Sequence, residues 1–319
     1  MRERRNTPDP DWRNILSKPL GTSEFQPLSS LVELDIAGDT HVGKVQAHNT
    51  DHYLAIRLGR VQETLATSLA AGDLPPDFEE YGYAMLVADG LGEQGAGVQA
   101  SRVALSAVAH LAIQYGKWNV RLKPEANLEI IQQGQFFYRR ANDAVMAARR
   151  ADRRFANMST SVTAVYIAGA DLFFAHVGHS RAFILRDGTL IQLTVDHTRR
   201  QERVNGAEPH PLSATHLDVT HLVTKTVGGN EGGPDVEIEH VQLWNGDRVL
   251  LCTNGLTDAV SDERIADVLA LRRRPREDCQ RLIEMALAAG GRDNVTVMVA
   301  DYRLRPAAGH NERVWSSLR

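Results

Sequence analysis

The apolar residues of this chain change period twice, and that change limits the fold more than any other feature. Before Gly97 they fall in runs of strand length. Leu31, Val32, Leu34 and Ile36 alternate over 31–37, residues 52–58 read as a second strand, and 84–88 (AMLVA) is an apolar run fit for one buried strand. After Gly97 the spacing is helical. Ala104, Val108 and Leu111 form one row and Leu105, Ala109 and Ala112 the next, which predicts a helix over 97–115. Ile131, Tyr138, Ala141, Val145 and Ala148 share a stripe of a second helix over 124–150, whose basic end suits a helix C-terminus. From Ser159 the period returns to two. Short strands at 159–168, 171–177, 181–186 and 189–193, joined by tight turns, predict an antiparallel sheet. Strands, long helices and strands again make this a chain of mixed strand and helix.

The remainder follows the same rules. Residues 59–82, with LPP at 74–76, read as a long polar connection. Short strands are expected at 222–227 and 236–241, and a second buried strand at 248–253 (RVLLCT). Ser261 can cap a helix carrying Asp262 and Glu263 in its first turn. Another helix runs over 275–289, from Pro275 to the Gly290-Gly291 stop, before a last strand at 295–300.

Length and composition bound the rest. At 319 residues and 43% hydrophobic the chain can bury a sizeable core, in one large domain or two average ones. A net charge of −4 gives no strong field toward nucleic acid or an anionic membrane. Cys252 and Cys279 make no CxxC and no disulfide framework, so a reducing, cytoplasmic setting is expected. No apolar run approaches the ~18 residues of a spanning helix, and no signal-peptide core follows the basic start. Residues 1–30 read as an N-terminal arm, 31–303 as the folded unit and 304–319 as a tail. His197, His210, His216 and His221 lack the HxxxH or HExxH spacing of a zinc site.

Several strand edges, far apart in sequence, carry polar residues beside glycine or at a loop entry. They are Asn49-Thr50-Asp51, Asp89-Gly90, Asn254-Gly255 and Arg292-Asp293-Asn294. A carboxylate beside bare backbone offers a hard cation both of the oxygen types it takes. One such edge is a common turn; several gathered at one end of a sheet suggest a shared cation site. The glycines of Gly90–Gly97 match GxGxxG but lack the parallel strand–helix–strand setting that a nucleotide fingerprint needs.

Over about residues 34–302 the chain resembles the metal-dependent type 2C protein serine/threonine phosphatases, of bacterial type. VADGLGEQGAG is similar to that family's DGxGG step, and FFAHVGHSRAFILRDGTLIQLTVDHT to its VGDSRAYLLRDGxLxQLTxDHS block. LVTKTVGG, PDVE, GDRVLLCTNGLTDAVSDERI and GGRDNVTVMV follow in the family's order. The resemblance implies an α+β fold, a four-layer α-β-β-α sandwich with two antiparallel sheets flanked by helices. It also implies two magnesium or manganese ions and a water that attacks the phosphorus of phosphoserine or phosphothreonine. By position, Asp89 is to bridge the ions, the Gly90 carbonyl to bind one and Asp293 the other, and Asp51 to hold water at the ions.

The departures are equally specific. Asn254 stands where the family has a ligand Asp, Thr50 where it has Glu, and Gln46 where an Arg clamps phosphate. His179 stands where an Asp is tied to a third metal, and Leu91 where a His or Met is found. Asn254 can still coordinate through its amide oxygen, with one negative charge fewer. His179, with His48 and His52 near Asp51, raises a softer ion such as manganese or zinc as an alternative to magnesium. Two functions follow: a phosphatase impaired by altered ligands, or a pseudophosphatase that binds a phosphoprotein or partner. A serine/threonine kinase is the kind of partner the family suggests, and residues 59–82 and 194–220 are expected to border the site.

Overall fold

The strand β3 (Phe78–Leu91) shows why the chain folds in layers. Tyr83, Met85 and Val87 enter one hydrophobic cluster, and Leu86 and Ala88, pointing the other way, enter a second. A strand buried on both faces reads as an unbroken apolar run, which is why AMLVA shows no alternation. The computed structural model describes residues 31–70, 78–93, 95–115, 126–198, 223–236 and 238–304. In chain order the elements are β1 (Val32–His41), β2 (Asp51–Gln62), β3, α1 (Ala96–Tyr115), α2 (Ala126–Ala151), β4 (Ser159–Ala168) and β5 (Asp171–Val177). There follow β6 (Arg181–Arg186), β7 (Thr189–Gln192), β8 (Ile238–Gln242), β9 (Arg248–Cys252), α3 (Asn254–Thr257), α4 (Asp262–Ala270), α5 (Pro275–Ala288) and β10 (Val295–Leu304).

The strands form two five-stranded sheets, ordered β1-β10-β9-β6-β7 and β2-β3-β4-β5-β8, with every pairing antiparallel. Three hydrophobic clusters separate four layers. Met85, Val165, Leu172, Ile184, Leu251, Met298 and Tyr302 fill the space between the sheets. Leu250, Val297, Ile265, Leu282 and Ala286 join the first sheet to α4 and α5. Leu86, Val162, Ala100, Ala104, Tyr138 and Val145 join the second sheet to α1 and α2. Each large apolar side chain so buried contributes about 1.5–3 kcal/mol. The result is the α-β-β-α sandwich that the resemblance implied. Among the described residues α1 is long and apolar enough to cross a membrane on composition alone, but it buries Ala96, Ala100, Ala104 and Leu105 against the second sheet.

Several expectations are corrected. The strands at 159–193 do not share a sheet: β4 and β5 lie in one, β6 and β7 in the other. Asp187 and Gly188 (φ 49 and 80) make a true hairpin turn, whereas Gly178, at φ 111, sends the chain across the sandwich. Residues 59–82 are not one long connection, because β2 runs to Gln62 and β3 starts at Phe78. This segment reads as polar because the hairpin projects past β4, whose pairing with β3 stops at Gly82. β1 continues through Gly38-Asp39-Thr40 because its ladder with β10 does. The strand expected at 222–227 is reduced, among described residues, to the bridges Thr198–Val223 and Thr160–Val227. Ser261 occupies the N-cap of α4 without its hydroxyl bonding the helix backbone.

Candidate active site

The alternation that fills the core also builds the site. Met85 and Val87 point between the sheets, so Asp89, two residues on, does too, at the open end of that core. Asp51 is its direct partner across the β2–β3 ladder. The same parity puts Ser161 before Val165, Thr253 after Leu251 and Thr296 before Met298 at this end. The polar end of the inter-sheet core thus gathers carboxylates and hydroxyls from both sheets.

Asp51 is fixed on one oxygen. Thr253 Oγ1 and Thr296 Oγ1 donate to its Oδ2 at 2.7 and 2.8 Å. Thr296 is held in turn by the Thr40 hydroxyl at 2.7 Å, and Asn49 Nδ2 donates to Thr40 Oγ1 at 2.9 Å. Burial drives the Asp51 carboxyl above its ordinary range, against the pull of the two threonines and with the push of Asp293. Burial likewise raises Asp89, helped by the charges of Asp51 and Asp293. These buried carboxyls repel one another, and a cation is what relieves such a cluster.

Asp293 and Asn294 open β10. Asn294 Oδ1 accepts from Thr50 N (2.8 Å) and Thr50 Oγ1 (3.0 Å), while its Nδ2 donates to the Val42 and His48 carbonyls at 2.8 and 3.0 Å. One asparagine therefore fastens the loop between β1 and β2 to the start of β10. Asn254 follows Thr253 as the first residue of α3, and its Nδ2 donates to Asp258 Oδ2 at 3.2 Å. That bond fixes the amide orientation, and Asn254 Oδ1 is left buried without a hydrogen-bond partner. Next to it, a Cβ on Gly255 would overlap the Asn294 carbonyl, so these two strand ends meet backbone to backbone.

Gly90 N–H donates to the Thr50 carbonyl at 3.2 Å, and a side chain there would collide with the Gly97 carbonyl in the first turn of α1. The glycines read as a strand-end turn therefore serve close approach of helix and strand. The antiparallel neighbours of β3 exclude the dinucleotide-binding setting.

His179 reaches the site from the crossover between β5 and β6. Its Nε2 lies 3.4 Å from Asp89 Oδ2 and its Nδ1 shares a 2.8 Å hydrogen bond with Ser161 Oγ. Burial lowers its pKa, offset by Asp196, Asp258 and Asp293, which favours the neutral ring. Behind it, Arg181 pairs with Asp196 through two bonds of 2.9 and 2.8 Å, and His197 N–H donates to the Gly178 carbonyl at 2.7 Å. Residues 194–198 thus lie against this crossover; His210, His216 and His221 fall outside the described residues.

Other candidates separate. His52 faces the helix layer, where its Nδ1 meets Ser101 Oγ at 2.9 Å, because neighbours on a strand point oppositely. His48 is exposed and meets the site network through its carbonyl. Gln46 is exposed, with Nε2 3.5 Å from the Arg292 carbonyl. Of the 59–82 segment, the Gln62–Phe78 pair that ends the β2–β3 ladder lies about 35 Å along the strands from Asp51–Asp89, and residues 71–77 fall outside the described residues. Thr253, Thr296, Thr40 and Ser161 were missed from sequence, and Asn294 was read only as part of a strand edge. Their signal was inward parity at a strand end, legible only once the sheets were paired. Among the described residues no group of three or more His, Cys, Asp or Glu is placed to hold a metal ion. The donor set is completed by the Asn254 amide oxygen and by backbone carbonyls. Its two buried carboxyls and one unpartnered amide oxygen fit a hard cation.

Comparison with known proteins agrees with this geometry. The family model described as Protein phosphatase 2C matches residues 77–288. The serine/threonine protein phosphatase PstP of Mycobacterium tuberculosis is 36% identical over 217 residues, 68% of this chain and 40% of that protein. The chain thus spans about two fifths of the length of this curated relative. The serine/threonine phosphatase stp of Listeria welshimeri is 28% identical over 220 residues, 69% of this chain and 84% of that one. A crystal structure of the Mycobacterium tuberculosis phosphatase superposes with TM-score 0.64 at 32% identity, covering 86% of this chain and 99% of the other. A structure of the PstP catalytic domain in complex with 2 manganese ions superposes with TM-score 0.63 at 31% identity, covering 85% and 99%.

Proposed function

Because the chain belongs to the protein phosphatase 2C family, whose members use magnesium or manganese, we propose that it hydrolyses phosphoserine or phosphothreonine in proteins, with a site weakened by its altered ligands. The observation that carries this reading is the buried Asp51–Asp89 pair at the mouth of the inter-sheet core. A chain with no use for that pair would bear its repulsion for nothing.

Asp89, the Gly90 carbonyl, Asn254 Oδ1 and Asp293 would hold the cation. When bound, it supplies Lewis-acid polarisation of a phosphoryl oxygen and a lowered water pKa. The protein's own groups do the positioning. Thr253 and Thr296 hold Asp51 Oδ2, which leaves its other oxygen to accept a proton from a water in the site. Gln46 donates to a phosphate oxygen through an amide, without the two-pronged charge of an arginine. Neutral His179 packs on Asp89 and adds no negative charge there. Each weakened ligand or supporting group costs about 10–100-fold in affinity or activity.

The second reading, a pseudophosphatase that binds a phosphoprotein or partner such as a serine/threonine kinase, is favoured by the combined changes at Gln46, Thr50, His179 and Asn254. Hydrolysis of an aryl phosphate and of a phosphothreonine peptide, titrated with manganese and magnesium, separates the two. We expect slow, metal-dependent turnover that Asp89→Asn abolishes. Turnover no higher than that of folded Asp89→Asn at saturating metal would replace the enzyme with the binding module.

A further inference from the structure

We propose that the helix-facing side of the second sheet holds a binding site for one uncharged, ring-sized aromatic molecule. The site stands apart from the Asp51–Asp89 pair, which points to the other face of that sheet, and it does not depend on the catalytic reading. Small residues meet there. Leu86 pairs with Ala164 and Ala164 with Ala175 across the ladders, and Ala84 is the preceding helix-facing residue of β3. These alanines lie side by side. Over them α1 presents Val108 and Ala112, and α2 presents Ile130 and Gly134. Ala84 and Ala164, mid-strand on inner strands of the sheet, are accordingly only partly buried.

Two contacts keep α2 from closing the gap. The Tyr138 hydroxyl, its proton shared between the Val162 and Ala175 carbonyls at 3.1 and 3.0 Å, props the helix at one height. At Gly134 the helix backbone already meets β8, where a Cβ would overlap Ile238. What remains is a partly open cavity of about 140 Å³. Interiors keep few voids larger than a water, because an empty wall forfeits its dispersion contacts. Water fills this one poorly. The Tyr138 hydroxyl is already bonded, the Gln133 amide donates to the Tyr115 carbonyl, and among the described residues no charged side chain lines the wall. Apolar cavities of ~150 Å³ stay dry and take up benzene. Phe137, Tyr138, Tyr166 and Phe173 line the cavity, so an aromatic ring can meet their faces and edges. Size, polarity and wall chemistry agree on one uncharged ring.

The test uses indole as the probe and benzoate as its charged counterpart, each titrated into the full chain by calorimetry and by NMR of the alanine methyl groups. We expect one indole per chain, ring-current shifts at the Ala84, Ala112, Ala164 and Ala175 methyls, and a raised Tm. Benzoate should bind at least about tenfold more weakly, since its charge would be buried without a partner. Ala164→Leu fills the void and should weaken indole binding at least about tenfold. Should that variant fail to fold, the wild-type titration and its methyl shifts still decide. No saturable indole binding, shifts at other methyls alone, equal binding of benzoate, or undiminished binding by folded Ala164→Leu would each overturn the proposal. So would binding that appears only in Trp118→Ala, because the chain would then fill the cavity itself.

Discussion

Asp89 is the residue on which the site's electrostatics turn. Its carboxyl is raised by burial and by the charges of Asp51 and Asp293. A group whose pKa is raised on folding stabilises while protonated. That contribution is complete below about pH 4, the unfolded value, and is lost as pH rises through the folded value. Without divalent ions, Asp89→Asn should therefore be more stable than the wild type at pH 7, by up to about 1.4 kcal/mol for each pKa unit relieved below pH 7. His176, lowered to about 3 chiefly by burial, works oppositely. Its contribution is present above about pH 6.5 and lost as pH falls toward 3. It is common to both proteins, so the difference between their melting curves from pH 4 to 8 isolates the carboxyl. A difference that does not grow with pH would refute the repulsion. Saturating manganese should raise the Tm of the wild type and leave Asp89→Asn unmoved. Asn254→Asp should tighten manganese about 10–100-fold, read by titration calorimetry.

Between elements, the critical contact is that of β3 with the first turn of α1. Gly90 and Gly97 meet through bare backbone, and Ser101 Oγ donates to the Thr50 carbonyl at 2.6 Å. Gly90→Ala must push the helix off the strand end. We expect a loss of about 1–3 kcal/mol in urea unfolding, together with weakened manganese binding. Unchanged stability would mean that the contact relaxes freely. The crossover from β5 to β6 makes a comparable demand. Gly178 combines a φ of 111 with a position where a Cβ would overlap Ser161 Oγ. Gly178→Ala should cost about as much and displace His179 from Asp89.

Across the whole molecule, Arg248 ties the far side of the first sheet to its helices. Fully buried, it pairs with Asp301 on β10 and with Asp278 on α5 at 2.5 Å, and donates to the Leu269 and Arg273 carbonyls at 2.7 and 2.9 Å. Arg248→Met leaves Asp278 and Asp301 with only the longer pairs to Arg273 at 3.8 Å and Arg303 at 3.6 Å, so unfolding should become easier by about 3–5 kcal/mol. A change below 1 kcal/mol by urea unfolding would show that solvent replaces the guanidinium. This lock shows no pattern in sequence, because its members lie on separate elements and each is an ordinary charged residue.

Local chemistry was enough for much of the rest. Apolar period and turn glycines gave β4, β5 and β6 their bounds and both long helices their extent, since side-chain direction repeats with the backbone. Motif resemblance named the layers and proposed Asp51, Asp89, Asn254 and Asp293 as one site. Tertiary structure alone decided which strands shared a sheet, because a glycine at a strand end permits either a hairpin or a crossing. It alone turned His52 away and brought Thr253 and Thr296 to Asp51, since parity gives a face only after pairing fixes which face is inside. It also left Asn254 Oδ1 without a partner, because an amide's unmet hydrogen bond depends on every neighbour that packs around it.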